Sequence, residues 1–423
     1  MDTTVTDPRD LYVADFERTA KSLPGFPDLR RRAIERFASL GFPGGREEAW
    51  RFTDVTPLAE IAFKPAAGTA NPNQFSGLAN GALKALQITF VDGRFAPAFS
   101  SLDLPKGVSV GSLGEDLQTA PKGEIPDNPF AALNLAFHRD GAAIRLADGV
   151  QLDRPIHVLY LSSLHGDPYV MHPRTTISLG EGARAMVVKS FLGPSGGTYF
   201  MNTVTRVDLA PGASLDLTKV QRESPQAFHV ESLDVSAAAN AAFIHHSISL
   251  GARLARNDLS VRLGGEGADC SLFGLYEVAG QQHVDHHTTI DHAKPHCTSR
   301  ELYKGVLDGR ARAVFDGRIV VRPDAQKTSA MQTNKNLLLS KEALVHTKPQ
   351  LEIFANDVKC KHGATIGQLD ADVLFYLRSR GIGLVDARRL LIHAFVSEII
   401  DTVKVDAVRS QIGGCMALFA GGA

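Results

Sequence analysis

Cysteine is scarce and scattered. Four occur, Cys270, Cys297, Cys360 and Cys415, and no pair forms a C-x-x-C. A zinc ribbon or a locally built four-cysteine cluster cradle is therefore excluded, and the thiols are expected to be free, at least some of them buried. A charge of one sign is also missing. Lysine plus arginine is 45 against 46 for aspartate plus glutamate, a net of −1, which gives no general attraction for nucleic acid or an anionic membrane. No apolar run approaches the roughly 18 to 20 residues of a membrane helix. The polar, acidic start MDTTVTDPRDLYVADFERT is not a secretory signal, so a cytoplasmic protein is expected. The chain has no G-x-x-x-x-G-K-[ST], G-x-S-x-G, H-E-x-x-H or G-x-G-x-x-G, and it does not read as a self-sufficient enzyme. With one Trp and seven Tyr it is poorly supplied for the aromatic rows of a carbohydrate-binding surface.

What is present is ample apolar content: 44% of 423 residues, enough for a core and for two or three structural units. Apolar residues at helical spacing predict helices over Leu11 to Ser22 and Leu29 to Leu40, separated by Pro24-Gly25 and followed by Pro43-Gly44-Gly45. A polar, proline-containing connector follows around Pro65 to Asn80. From about Gln87 to Ile366 the apolar period becomes two, as in Ile156, Val158 and Tyr160, which predicts strands.

Those strands repeat. ISLGEGARAMVVKSF, VDLAPGASLDLTKV, VSAAANAAFIHHSI and VRLGGEGADCSLFGL each join two alternating strands through a small-residue turn. The turns centre on Gly182, Gly212, Asn240 and Gly267, at intervals of roughly 27 to 30 residues. A similar element recurs at VLDGRARAVFDGRIVV. Stacked coils of a β-solenoid explain this period; an antiparallel sandwich with uneven hairpins is the alternative. After Gln368 the helical period returns, over Leu369 to Arg380 and Leu384 to Val403, broken by Gly381-Ile382-Gly383. In the second segment Ala387, Leu390, Leu391, Ala394, Phe395 and Ile399 line a wide apolar face. Such a hairpin packs on its own β core, docks another subunit, or does both with different faces. The organisation expected is thus a helical region and connector over 1–80, a β core over 81–366 and a helical region over 367–423.

Two clusters carry candidate chemistry. QQHVDHHTTIDHAKPHCTSRELYKG holds His283, His286, His287, His292, His296 and Cys297 with Asp285 and Asp291. No spacing matches a known metal site, so a structural polar face is favoured over a bound metal. On a strand, His283, Asp285 and His287 share one face and His286 takes the other. In DVKCKHGATIGQLD, extended backbone puts Cys360 and His362 on one face and Lys359 and Lys361 on the other. The lysines favour a thiolate, and the Cys-His pair offers half of a metal site whose remaining ligands come from elsewhere, most naturally a second chain. A buried thiol beside a satisfied histidine is the competing reading.

VKCKHGATIGQLDADVLFYLRSRGI, ARRLLIHAFVSEII, the histidine-rich segment and REEAWRFTDVTPL together resemble the SufB/SufD family of iron–sulfur cluster assembly scaffolds, over nearly the whole chain. Within it, the K-C-K-H-G-A-T segment and the EEAWRFT element are similar to the SufD branch. The resemblance implies a mainly β protein with a right-handed parallel β-helix core flanked by helical regions. It implies a non-catalytic scaffold subunit of an ATPase-driven complex, paired with a SufB paralogue and docked to the SufC ATPase. His362 falls on the histidine that lies at the partner interface and takes part in forming a transient cluster shared with SufB; Cys360 matches the motif cysteine. The helical pair, with Leu374, Leu377, Leu390, Leu391, Phe395 and Ile399, matches the region that binds SufC. A homodimer of the isolated chain and an FAD on the complex stay open, and no cofactor is expected tightly bound to the isolated chain. The alternative is a stand-alone metal-binding or ligand-binding β-solenoid.

Overall fold

The computed structural model describes residues 7–66, 83–114 and 125–419, apart from the side chains of 415–419; most of the expected connector lies outside them. From Ile156 onward consecutive strands do not pair with each other. Tyr199–Leu209 belongs to one sheet (sheet A), Ser214–Arg222 to a second (sheet B), Phe228–Ala237 to sheet A and Ala242–Ser249 to sheet B. Each pairs in parallel with the strand two places on, as Val207 with Val235 and Leu215 with Phe243. The repeats are therefore coils and not hairpins. The protein is mainly β, a parallel β-solenoid of about 8 turns with helices at both ends of the chain.

The corners explain the sequence period. Gly182, Gly212, Asn240 and Gly267 all have positive φ, at 63°, 68°, 55° and 70°. Each donates its N–H to the corner of the next coil: Gly182 to Pro211 O (2.9 Å), Gly212 to Ala239 O (2.9 Å), Asn240 to Glu266 O (2.9 Å) and Gly267 to Pro295 O (3.1 Å). Glycine and asparagine tolerate this left-handed conformation, which is why they mark the repeat. The ladder then continues through His296 and Lys327, whose N–H groups donate to Gln326 O and Asp357 O. Two ordinary side chains hid those corners from the sequence.

Inward side chains stack as columns. Most are apolar, from Leu86 at one end to Val345 at the other. The wide middle of the lumen is filled by a reciprocal device. Tyr303 lies over Gly274 and Tyr276 under Gly305, partners in register on adjacent coils. A Cβ on either glycine would come within 2.0 Å of the facing ring. Buried charge is paired there as well: Lys189 and Lys219 each lie 2.6 Å from Glu231.

Helices cover the outer faces. α1 (Pro8–Thr19), α2 (Pro27–Leu40), α3 (Thr56–Ala59) and α4 (Pro129–Phe137) form a second core on sheet A, where Phe16, Phe37, Trp50 and Phe130 meet Phe200, Phe228 and Val230. α4 falls inside the stretch read as β. Its sequence, PFAALNLAF, is buried along its whole length and so has no apolar–polar period to betray it. Asn128 caps it, accepting from the N–H of Phe130 and Ala131.

At the other end the last strand runs to Gly367. It is followed by α5 (Ala371–Ser379), α6 (Leu384–Ile400) and a further helix, α7 (Asp406–Phe419). α6 lays Ile392, Val396, Ile399 and Ile400 on Val188, Val220, Ile248 and Leu302 of sheet B. The apolar face expected for this helix is therefore rotated: Ala387 and Ile399 do face the solenoid, whereas Leu390 and Ala394 face outward. The helix is apolar on several sides, and contact with the sheet, not periodicity, selects the buried row.

Gly274→Ala is expected to lower stability by about 1–3 kcal/mol through overpacking against Tyr303. A shift of the urea midpoint without a change in slope checks it; an unchanged midpoint rules out the reciprocal packing.

Candidate functional site

Among the described residues nothing caps the final coil of the solenoid. Leu344–Ile353 closes sheet A and Lys359–Gly367 closes sheet B. Each is paired on one side only, with Arg312–Val321 and Ser329–Leu338, and among the described residues nothing pairs with the other side. Side chains that would be core one coil earlier are bare: Ile366 is 49% exposed and Ile353 is exposed too; the adjoining Phe354 is also exposed. Exposed strand edges invite indiscriminate pairing. Here Pro349 removes one N–H from the sheet A edge, and Lys348, Lys359 and Lys361 place charge along the two edges.

Cys360 and His362 lie on this end, on the inward face. In register, Cys360 follows Ala330 and His362 follows Gln332. Cys360 is half-buried and packs against the core, whereas His362 is exposed. Burial pushes the Cys360 thiol up from its ordinary range. The expectation that the neighbouring lysines favour a thiolate is not met: Lys359 and Lys361 project from the opposite face, and burial outweighs the backbone hydrogen bond at Ala330 that works against it. Directly behind His362, Gln332 Nε2 donates to Glu301 Oε2 at 2.6 Å. Both side chains are buried, and burial pushes the Glu301 carboxyl up to about 7.

The histidine-rich segment does not converge on one point. His286 is in the lumen between the rings of Tyr276 and Tyr303, 5.2 Å from each. His292 pairs with Ser299 at 2.9 Å, His296 forms a corner, and the Cys297 thiol donates to Gly265 O. His283 and Asp285 face outward, as the period of two requires. Among the described residues, no three His, Cys, Asp or Glu side chains are grouped to hold a metal ion. Asp285 instead receives Arg256 Nη1 and Thr53 Oγ1, both at 2.5 Å, and has His287 at 3.2 Å. Burial alone would raise its carboxyl, but Arg256 and then His287 outweigh that and hold it well below the usual range.

Thr53 belongs to REEAWRFT, and the rest of that segment docks alongside. The Arg256 guanidinium lies 4.1 Å over the Trp50 ring and donates to Ala49 O at 2.9 Å. Phe52 stacks on His346 at 3.9 Å, and Glu48 accepts from Lys348 at 2.5 Å. His346 and Lys348 are on the edge strand of sheet A. The two sequence motifs are therefore halves of one contact that braces the open end from outside. The single tryptophan, Arg256 and Asp285 were the available signals, but their separation along the chain concealed the match.

The helical residues named from the sequence divide. Leu374, Leu377 and Leu391 are half-buried and Leu390 is 52% exposed. Ile399 is fully buried on sheet B and belongs to the chain's own core, so it offers no docking surface. Phe395 is half-buried, with Lys304 Nζ 4.7 Å over its ring and bonded to its carbonyl oxygen at 2.6 Å. The apolar surface left bare is Val373, Phe375, Tyr376, Leu384, Val385 and Leu390; Phe375 is 75% exposed.

Glu301 gives a pH test. Its folded-state value near 7 exceeds the ordinary value of about 4.3, so the folded state holds the proton more tightly. The stability it confers is present at low pH and is lost as pH rises through about 7. Relative to Glu301→Gln, the wild type is expected to lose about 3 kcal/mol between about pH 4.5 and about pH 7, with parallel curves above that. Urea unfolding across pH measures it; a constant difference would show that Glu301 titrates normally.

Family models match almost the whole chain: the SufBD protein N-terminal region over residues 9–158, and the SufBD core domain of SUF-system FeS cluster assembly over residues 162–395. The iron–sulfur cluster assembly protein SufD of Escherichia coli is 33% identical over 381 residues, covering 90% of this chain and 89% of the relative. A SufBD family protein of Synechocystis sp. is 33% identical over 407 residues, covering 92% and 90%. The chloroplastic protein ABCI7 of Arabidopsis thaliana is 30% identical over 414 residues, covering 93% and 85%. With its solenoid, its two helical coverings and its open Cys–His end, the chain belongs to the SufBD family of iron–sulfur cluster assembly proteins.

Proposed function

We propose that this protein is the scaffold subunit that pairs, through the open end of its solenoid, with a SufB paralogue, and that iron and sulfide are assembled at the seam as cargo. The observation that carries the reading is the bare final coil. Strands of ten and nine residues expose one edge each, and among the described residues no coil lies above the inward residues of that coil. A second solenoid of the same construction satisfies both needs, by strand addition to the edges and by burial of Ile353, Ile366 and Phe354. Cys360 and His362 would then lie within the seam. Two ligands are too few for a cluster, so the partner supplies the rest.

The bare face of α5 and α6 is the docking surface for the SufC ATPase in this reading. Its route to the seam is short. Glu398 on α6 accepts from Lys304 at 2.6 Å and lies 3.8 Å from Lys335, on the last two strands of sheet B before the edge. ATP-driven movement of the SufC pair shifts α6 against those strands, loosens the seam and admits iron and sulfide to Cys360 and His362. The chain itself contributes no catalytic step.

Co-expression with SufB and SufC and anaerobic purification test this. His362→Ala is expected to assemble at wild-type yield but to carry severalfold less iron and acid-labile sulfide; equal content makes His362 structural. Ile353→Asp with Ile366→Asp is expected to lose SufB while keeping SufC, and Leu390→Glu with Phe375→Ala to do the reverse. Stoichiometric metal on the isolated chain, independent of partners, would favour a stand-alone metal-binding solenoid instead.

A further inference from the structure

Gln332 is one coil inside His362 on the same inward column, and Glu301 is one coil further in. The three are successive partners in parallel register. Same-face side chains on adjacent strands start about 4.8 Å apart. Gln332 is buried, its Nε2 is held by Glu301 Oε2 at 2.6 Å, and among the described residues its Oε1 has no hydrogen-bond partner. Such an unmet buried acceptor is costly. The fold makes room for it: on the opposite sheet a Cβ at Gly317 would come within 2.3 Å of Gln332 Nε2. Glycine there opens the slot in which the amide lies across the lumen.

The next polar group along the column is the His362 imidazole. A histidine that binds metal through one ring nitrogen commonly donates the other N–H to a fixed acceptor, which sets its tautomer and its aim. We propose that Gln332, clamped by Glu301, is the positioning residue for His362. Its Oε1 accepts one imidazole N–H, so that the other ring nitrogen faces the seam with its lone pair free for iron. The proposal rests on the reading of His362 as a cargo ligand; Gln332 and Glu301 touch no iron themselves. Glu301 occupies the NH2 group, which leaves Oε1 as the free acceptor.

The tautomer of His362 is the direct readout, and it needs no cargo. In the full, metal-free chain labelled with 15N-histidine, the His362 ring signals are assigned by their loss in His362→Ala. At about pH 8, where free imidazole is neutral, the wild type is expected to show one dominant tautomer. Gln332→Leu is expected to show the mixture of a free imidazole, and Gln332→Glu, which keeps an acceptor, to restore the single form. Glu301→Gln, a near-isosteric change, is expected to broaden the ratio, and it serves as the test if the leucine variant fails to fold. A tautomer ratio unchanged in Gln332→Leu at wild-type melting temperature, or unchanged in Glu301→Gln, overturns the proposal. Its failure is separable from that of the cargo reading. If Gln332 sets the tautomer but His362→Ala complexes keep full iron and sulfide, the positioning stands and the cargo role falls. If loading needs His362 and the tautomer ignores Gln332, the positioning falls and the cargo role stands.

Discussion

A coil of parallel strands cannot satisfy its own backbone. Each coil's N–H and C=O groups point up and down the axis, so every coil depends on the one before and the one after. That single requirement organises the molecule. It sets the near-constant length of the repeat, forces left-handed corners into register, and turns inward side chains into columns in which a change on one coil is felt on the next. It also means that the last coil is incomplete by construction. Helices can cover a sheet's outer face, but the axial edges of Leu344–Ile353 and Lys359–Gly367 can be completed only by more strand.

The two outer faces solve a second problem differently. Sheet B presents Val188, Val220, Ile248 and Leu302 outward, a surface that must be covered, and α6 and α7 cover it. Sheet A is apolar under the N-terminal helices at Phe200, Phe228 and Val230, but towards the open end it turns polar, with Arg256, Asp285, His346 and Lys348. There the chain uses a buried carboxylate paired with Arg256 and an arginine stacked on Trp50. Leaving either charge alone in that contact would be costly, which makes the match specific as well as adhesive. The helical regions therefore clasp the final coils from both sides while leaving the axial end bare.

Much of this was legible in the amino-acid order. The corner series at Gly182, Gly212, Asn240 and Gly267 is a conformational signature, because residues that tolerate positive φ are favoured at such positions. The same facing of Cys360 and His362 follows from the period of two alone. Less was legible where packing overrides pattern. α4 is buried on every side and carries no period. His296 and Lys327 take the same corner conformation as glycine because the stack holds them there. Cys360 looks activated by its lysines, yet its half-buried place against the core raises the thiol instead. The histidine-rich segment looks like one cluster and is three environments, because alternate residues of a strand part company at once.

The sequence by itself determined the repeat, the alternation of faces and the family signature, because these depend on local conformational preference and on side-chain period. The tertiary structure decided which apolar row of α6 is core and which is free, joined REEAWRFT to Arg256 and Asp285, and put Glu301, Gln332 and His362 into one column. These relations link residues far apart along the chain. They exist only once coils are stacked in a definite register, and no local preference encodes that register.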